Sequence, residues 1–423
     1  MLVIEGRAYL EGRIEAAAIG VEDGRIAAIR KTLRGEPTYR YSDALILPGG
    51  IDVHVHLREP GMTEKEDFAS GTESAAAGGV TTVVDMPNTT PPVSSPAALE
   101  EKLRIASRKA NVDFGLYANP ATAADAEDLK DATAFKAYLS ETTNAVPVPD
   151  DATLAGILLA ASRMGKILSA HCEDAARFRP GRARSLEEHD RLRPSEAEVS
   201  AVERLARLRG DARVHVAHAT TASAVNARPE GATCEVTPHH LLLDTSLDLG
   251  ARAKVNPPVR PHAEKEALWR EVVAGHVDLF ASDHAPHTQE EKSLRFEDAP
   301  SGVPGVATTF PLLFRYVRRE VLDLPRFVAM FSENPARLLG ADKGRIEVGR
   351  DADLLVVDPR RIEKVTARRC RYKCGWTPFE GMEGTFPIAT FVRGELVAQE
   401  GELVAERVGR MLPPTVRAPG AGG

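Results

Sequence analysis

The stretch Pro48-Gly49-Gly50-Ile51-Asp52-Val53-His54-Val55-His56-Leu57-Arg58, followed by Glu59-Pro60-Gly61, alternates apolar and polar side chains over its second half. A strand sends successive side chains to opposite faces. Val53, Val55 and Leu57 therefore share one face, and His54, His56 and Arg58 share the other. Two imidazoles two residues apart on one strand face can reach the same metal ion. The plainer alternative is a half-buried strand with incidental polar residues. A lone histidine would leave that alternative ahead; a His-x-His pair at a strand end favours the metal.

Outward from this strand, β-like and helix-like stretches alternate. The β-like ones are Thr81–Asp85, Val112–Tyr117, Ala134–Tyr138, Ile167–His171, Arg213–His218, Thr233–Thr237 and Val277–Asp283. Helical segments intervene, for example the one opening at Ser95 (N-cap) and Pro96 (first helical position). Eight strands interleaved with helices predict an α/β fold, a (β/α)8 TIM-like barrel spanning residues 48–343, with catalytic groups gathered where the strands end. Residues 1–47 read as short strands with tight turns, Glu22-Asp23-Gly24 among them, and residues 344–423 have the same texture, with Leu354–Val357 and a hairpin around Gly394. Two β-rich ends predict one small β-sandwich domain formed by both chain termini. The tail from Pro413, rich in Pro, Gly and Ala, is expected to be poorly ordered.

The C-terminal ends of the barrel strands carry His54 and His56 (strand one), Lys136 (four), His171 (five), His218 (six) and Asp283 (eight). A single strand-end histidine is more often a hydrogen-bonded structural residue. Four histidines and an acid on one rim argue jointly for a metal centre. A free ammonium at Lys136 has no lone pair to donate and would be repelled by cations. If CO2 adds to the neutral amine, the carbamate is an anion with two oxygens that can bridge two metals; the alternative is a lysine paired with a carboxylate such as Glu141. Asp283 opens Asp283-His284-Ala285-Pro286-His287. Beside a metal-activated water it can take a proton and pass it to a leaving nitrogen, a general base turned general acid. His284 is expected to pack against or orient Asp283, and His287 to face the pocket. His215 has an odd offset from His218 and reads as structural, pointing away from the pocket. His239 or His240 is a candidate brace behind the site. His189, His262 and His276 read as solvated.

Composition narrows the function classes. The chain of 423 residues has 43% hydrophobic and 27% charged residues, ordinary for a soluble enzyme able to bury a large core. A net charge of −7 gives no support for nucleic-acid binding. Cys172, Cys234, Cys370 and Cys374 are too few and scattered for a disulfide framework, and Cys370-x-x-x-Cys374 lacks a second pair for a zinc site, so a reducing cytoplasm is expected. The N-terminus does not read as a signal peptide, and no apolar run reaches the roughly 18 residues a membrane span needs. A serine-hydrolase elbow and the glycine patterns of phosphate or dinucleotide loops are missing.

PGGIDVHVHLREPG (48–61), VVDMPNTTPP (83–92), FKAYLSET (135–142), SAHCED (169–174), HVAHAT (215–220), EVTPHH (235–240), VNPPVR (255–260) and SDHAPH (282–287) resemble the amidohydrolase superfamily, and within it the class I dihydroorotases. The resemblance extends to the ends of the chain, through ADLLVVDP (352–359), WTPFEGMEGTF (376–386) and ATFVRGELV (389–397). It implies reversible cyclisation of N-carbamoyl-L-aspartate to L-dihydroorotate in pyrimidine biosynthesis, with two zinc ions held by His54, His56, Lys136, His171, His218 and Asp283. Many bacterial members bridge the metals with an aspartate after strand four. The equivalent position here is Asn144, a poor bridging ligand, and Phe135–Thr142 instead looks like the carboxylated-lysine version found in the animal dihydroorotase domain and in hydantoinases. By the same resemblance Arg58, Asn88 and His287 hold the substrate carboxylate, Asn256 and the backbone near Gly302 contact the amide edge of the ring, and Thr142 closes over bound substrate. Turn chemistry beside proline is the plainer reading of Asn88 and Asn256.

Hydantoinase and allantoinase are the nearest enzyme alternatives, and Arg58 discriminates, because their rings carry no equivalent carboxylate. A non-catalytic scaffold for aspartate transcarbamoylase is the alternative from another class; such proteins have lost metal ligands, and here every ligand position is filled. A homodimer is the family-level expectation, and association with aspartate transcarbamoylase is compatible with the chain. Zinc suits the ligand set, as would cobalt or manganese.

Overall fold

A computed structural model describes residues 1–142 and 144–414. The N-terminal strands β1 (Leu2–Leu10), β2 (Arg13–Glu22), β3 (Arg25–Arg30) and β4 (Thr38–Pro48) lead directly into the barrel. The β2–β3 turn places Asp23 and Gly24 at φ 50° and 79°, the left-handed pair that a tight hairpin requires. The eight barrel strands follow as β5 (Gly50–Val55), β6 (Val80–Asp85), β7 (Asp113–Ala118), β8 (Ala134–Tyr138), β9 (Ile167–His171), β10 (Arg213–Val216), β11 (Thr233–Val236) and β12 (Leu279–Phe280). They pair in sequence order, all parallel. A parallel bridge between Val55 and His284, with His56 N donating to His284 O (2.7 Å), joins the last strand to the first. The chain is a TIM-like barrel with an additional sheet domain.

The helices sit where their caps put them. Asp67 caps α1 (Phe68–Ala77) in a reciprocal box with Ser70. Ser95 caps α2 (Pro96–Lys109) by accepting from Ala98 N, with Pro96 in the first turn. Fully buried strands such as β6 and β7 carry no exposed position, as a parallel sheet covered on both faces demands.

The C-terminal strands are β13 (Leu354–Val357), β14 (Glu363–Lys364), β15 (Glu383–Gly384), β16 (Ala389–Val392), β17 (Glu395–Gln399) and β18 (Glu402–Leu403). Apart from the β14–β15 ribbon they extend the N-terminal strands into one eight-stranded sheet, in the order β18-β17-β16-β13-β4-β1-β2-β3. Its core contains Ile4, Ile19, Ile46, Leu354, Val356 and Phe391. The segment after β18 returns to the barrel, where Leu412 N donates to Phe114 O (2.7 Å). The tail expected to be poorly ordered lies, from residue 415 on, outside the described residues.

Two strand lengths differ from the sequence reading. β10 stops at Val216, short of His218, and the eighth strand shrinks to Leu279–Phe280, short of Asp283. The cause is local backbone: His218 and Asp283 adopt φ 36° and 45°, and Arg58, past the end of β5, adopts φ 61°. A left-handed residue ends strand alternation. His189, expected to be solvated, is instead only 8% exposed. Its Nε2 lies 3.0 Å from Val255 O and 2.9 Å from Asn256 Oδ1, so the helix Leu186–Leu192 presses it against the loop after β11. His262 and His276 do keep exposed side chains.

Candidate metal centre and active site

Eleven of the twelve residues expected to hold metal or substrate line one cleft at the C-terminal mouth of the barrel: His54, His56, Arg58, Asn88, Lys136, Thr142, His171, His218, Asn256, Asp283 and Gly302. His287 lies just behind it, its Nε2 3.2 Å from Arg58 Nη2.

At the floor, Asp283 Oδ1 stands 3.3 Å from His54 Nε2 and 3.1 Å from His56 Nε2, and these three side chains form a group able to hold a metal ion. The other nitrogen of each imidazole is occupied. His54 Nδ1 contacts Glu235 Oε1, and His56 Nδ1 lies 2.8 Å from Asn88 Oδ1. An acceptor at Nδ1 puts the proton there and leaves the Nε2 lone pair facing a carboxylate oxygen. Two lone pairs converging at about 3 Å repel unless a cation or proton lies between them. Burial lowers His56 to about 3 despite Asp283, which keeps the imidazole neutral. Burial raises the Asp283 carboxyl, yet His54, His56 and His218 outweigh it and hold the group well below the usual range.

Across the cleft, His171 Nδ1 lies 3.0 Å from His218 Nε2. His171 Nε2 is 2.8 Å from Glu173 Oε2, and Arg193 donates to both oxygens of Glu173. Burial lowers both imidazoles. Between the two groups Lys136 Nζ is buried with no hydrogen-bond partner, and His218 Nδ1 likewise. Burial lowers the Lys136 ammonium to about 8, with Glu235 and Asp283 opposing. The pairing of Lys136 with Glu141 does not form; Glu141 is exposed. An unpartnered amine ringed by neutral imidazoles and an acid is a donor set lacking its central charge, and these residues fit a divalent metal.

Toward solvent, Arg58 Nε donates to Pro286 O (3.1 Å). His287 Nε2 is 3.0 Å from Ser301 O, while Nδ1 faces Lys65 Nζ at 3.3 Å and Glu291 at 3.4 Å. Asn256 Oδ1 is held by His189 and lies 3.3 Å from Ser301 Oγ. Gly302 takes φ 138°, and a Cβ there would meet Ala285 O at 2.4 Å, so only glycine brings this backbone so close. Its N–H, however, donates to Lys254 O (2.9 Å), so the amide most directly expected to meet the ring is already engaged. Asn144 turns away, its Nδ2 3.2 Å from Thr90 Oγ1.

Several residues at the site escaped the sequence reading. Glu235 contacts His54, accepts from His218 N (3.1 Å) and lies 2.9 Å from His215 Nε2. His215 is therefore inside the barrel, one layer beneath the cleft, bracing Glu235. Glu173 does the same for His171. An acid two residues after a strand-end histidine, as in His171-Cys172-Glu173, was the available signal. Tyr138, two after Lys136, also lines the cleft, with its hydroxyl buried and unpartnered. His284 packs away from Asp283, its Nδ1 accepting from Gly305 N (3.1 Å) and its Nε2 3.4 Å from Glu66. Of the two candidate braces, His240 is bonded to Thr237 and Pro257 O, whereas neither nitrogen of buried His239 has a partner.

The amidohydrolase family profile matches residues 45–397. The chain belongs to the amidohydrolase family. A dihydroorotase of Methanosarcina acetivorans is 39% identical over 434 aligned residues, covering 95% of this chain and 92% of that one. One of Halobacterium salinarum is 40% identical, covering 97% and 99%. Among solved structures, the L-hydantoinase (dihydropyrimidinase) from Arthrobacter aurescens superposes with a TM-score of 0.90 at 29% identity, over 97% of this chain and 99% of that one. A D-hydantoinase follows at 0.89 and 29%, over 98% of both. Within the amidohydrolases the chain therefore stands with the dihydroorotases, as a metal-dependent cyclic amide hydrolase. No helix among the described residues is long and apolar enough to cross a membrane.

Proposed function

We propose that this amidohydrolase interconverts N-carbamoyl-L-aspartate and L-dihydroorotate, using two zinc ions and a carboxylated Lys136, with residues 48–343 as the catalytic unit and 1–47 plus 344–423 as its flanking β-unit. His54, His56 and Asp283 would hold one ion, His171 and His218 the other, and the Lys136 carbamate would bridge them. When bound, the metals supply Lewis-acid polarisation of the scissile carbonyl and a water acidic enough to attack at neutral pH. Asp283 would serve as general base toward the attacking water and as general acid toward the ring nitrogen as the amide bond opens; in the synthetic direction it would remove the proton from the ureido nitrogen. Glu235 and Glu173 fix the tautomers of His54 and His171 throughout.

The observation that carries the substrate assignment is Arg58, whose buried guanidinium lies beside His287 on the cleft wall. Arg58 and His287 bind the ring carboxylate, with Asn88 between them and the metal ligand His56. A guanidinium matches a planar carboxylate with two parallel hydrogen bonds. Asn256 and the Ser301–Gly302 backbone face the amide edge of the ring, and Thr142 covers it. The second reading, a hydantoinase, is favoured by the backbone likeness to solved hydantoinases, but their uncharged substrates leave Arg58 without a function. Steady-state comparison of L-dihydroorotate, hydantoin and allantoin on the metal-loaded enzyme decides between them. L-dihydroorotate is expected to have the highest kcat/KM, and faster turnover of either neutral ring defeats the assignment.

Four buried, unpaired thiols support a reducing cytoplasm as the working compartment. A homodimer able to associate with aspartate transcarbamoylase is proposed on the family resemblance alone.

A further inference from the structure

Behind the carboxylate subsite lie two buried lysines to which neither the motifs nor the relatives assign a role. Lys254 Nζ donates to the carbonyls of Phe296 (2.7 Å) and Ala299 (2.6 Å). Lys292 Nζ donates to those of Pro300 (2.8 Å), Gly302 (3.0 Å) and Lys254 (3.3 Å). They are 8% and 4% exposed, and among the described residues no carboxylate lies within 4.0 Å of either ammonium. A buried charge is costly and is ordinarily paired. Here peptide carbonyls make all the direct contacts, Asp298 and Glu297 act on Lys254 and Glu291 on Lys292 only from a distance, burial pushes Lys292 down to about 7, and both side chains grip the same loop.

That loop reaches the substrate. Its Ser301 O contacts His287 Nε2, which in turn lies 3.2 Å from Arg58 Nη2. Trp376 seals the far side, its ring centroid 5.7 Å from Lys292 Nζ and its indole N–H donating to His287 O (2.7 Å). A continuous path of contacts thus runs from the Lys292 ammonium through the 300–302 backbone to the groups assigned to the carboxylate. In a poorly hydrated interior, charge acts over longer distances than in water, so an anion in front of Arg58 also senses the cations behind it.

We propose that Lys292 and Lys254 are positioning residues of the anion subsite: their side chains lock the 296–302 loop behind His287 and Arg58, and the carboxylate of the bound substrate adds to the distant counter-charge that Glu291, Glu297 and Asp298 supply. This deepens the dihydroorotate reading and rests on it. Neutralising either lysine should weaken binding of the anionic ring while sparing the chemical step and the metal.

The test compares wild type, Lys292→Gln and Lys292→Arg as metal-loaded enzymes. Glutamine keeps hydrogen-bond donors without charge, and arginine keeps the charge. L-dihydroorotate kinetics, inhibition by orotate (a planar carboxylate analogue) and metal content are measured. Lys292→Gln is expected to raise both KM and the orotate inhibition constant about tenfold or more, with kcat within about threefold and metal content unchanged, and Lys292→Arg to recover most of the affinity. Wild-type orotate affinity in Lys292→Gln overturns the proposal, as does equal loss in the Gln and Arg variants, or a fall in kcat at constant KM. Should Lys292→Gln not fold, the same pair at Lys254 is read by the same criteria, and failure of both glutamine variants to fold marks a purely structural role and also overturns it. A wild-type enzyme without dihydroorotate turnover defeats the functional reading itself, a result distinguishable from all of these.

Discussion

Arg58, His218 and Asp283 hold left-handed backbone conformations that side chains with a Cβ rarely adopt, at a cost of about 1–3 kcal/mol each. All three line the cleft, and each stands past the end of its strand, where a left-handed turn and not the strand pleat aims the side chain. Lys136 shows the opposite case: regular strand backbone, with all the cost at its tip, a buried amine without a partner. Carboxylation would turn that amine into an anion between two groups of ligands. Lys136→Ala is therefore expected to lose bound metal and at least about 100-fold in kcat, with partial rescue by added short carboxylates that take the place of the carbamate. Metal analysis before and after rescue checks this, and an alanine variant with full metal content and wild-type rate would remove Lys136 from the centre. The His-x-His pair, Lys136 and Asp283 were legible because strand ends in this barrel are where chemistry collects. Glu235 was not, because a single acid on a short strand looks the same whether it braces a metal ligand or a neighbouring loop.

At the scale of the element, the loop from Phe296 to Gly302 is shaped by two lysines, one histidine contact and one glycine. Gly302 is the point of least tolerance, since its φ of 138° and the Ala285 O only 2.4 Å from where a Cβ would stand exclude any side chain. Gly302→Ala should move the loop off His287, raising KM for dihydroorotate by roughly tenfold or more and lowering stability by about 1–3 kcal/mol. Kinetics paired with chemical denaturation test this, and unchanged KM would separate the loop from substrate binding. β10 shows why strand boundaries were harder to read than strand existence. The run from Arg213 to His218 looks like one strand in sequence, but its hydrogen-bonded ladder ends at Val216, and the turn after it sends His218 to the cleft while His215 stays one layer below. Propensity favours the strand; the backbone conformation at His218 is set by Glu235, which accepts its N–H.

Across the whole molecule, one buried cluster joins the parts. Lys343, the last residue of the barrel unit, contacts Asp113 at the start of β7 (2.6 Å), Asp353 before β13 (2.7 Å) and Asp351 (2.9 Å), and Arg393 of the terminal sheet also contacts Asp113. Removing the central cation leaves buried carboxylates uncompensated, so Lys343→Met is expected to cost about 3–5 kcal/mol of stability. A drop in denaturation midpoint with kcat and KM preserved at low temperature is the expected result, and an unchanged midpoint would show that the cluster does not hold the sheet to the barrel. The barrel was determined by the sequence alone, since eight apolar runs spaced by capped helices have few other ways to bury both faces of a sheet. The residues proposed as metal ligands were legible too, because each sits at or near the end of one of those runs. Only the tertiary structure decided which group each buried charge faces. Glu235 meets His54, Lys292 meets Gly302 and Lys343 meets Asp113 across separations of 181, 10 and 230 residues. Electrostatic partners of this kind are chosen by distance in space, and a linear pattern of hydrophobic and polar residues carries no record of it.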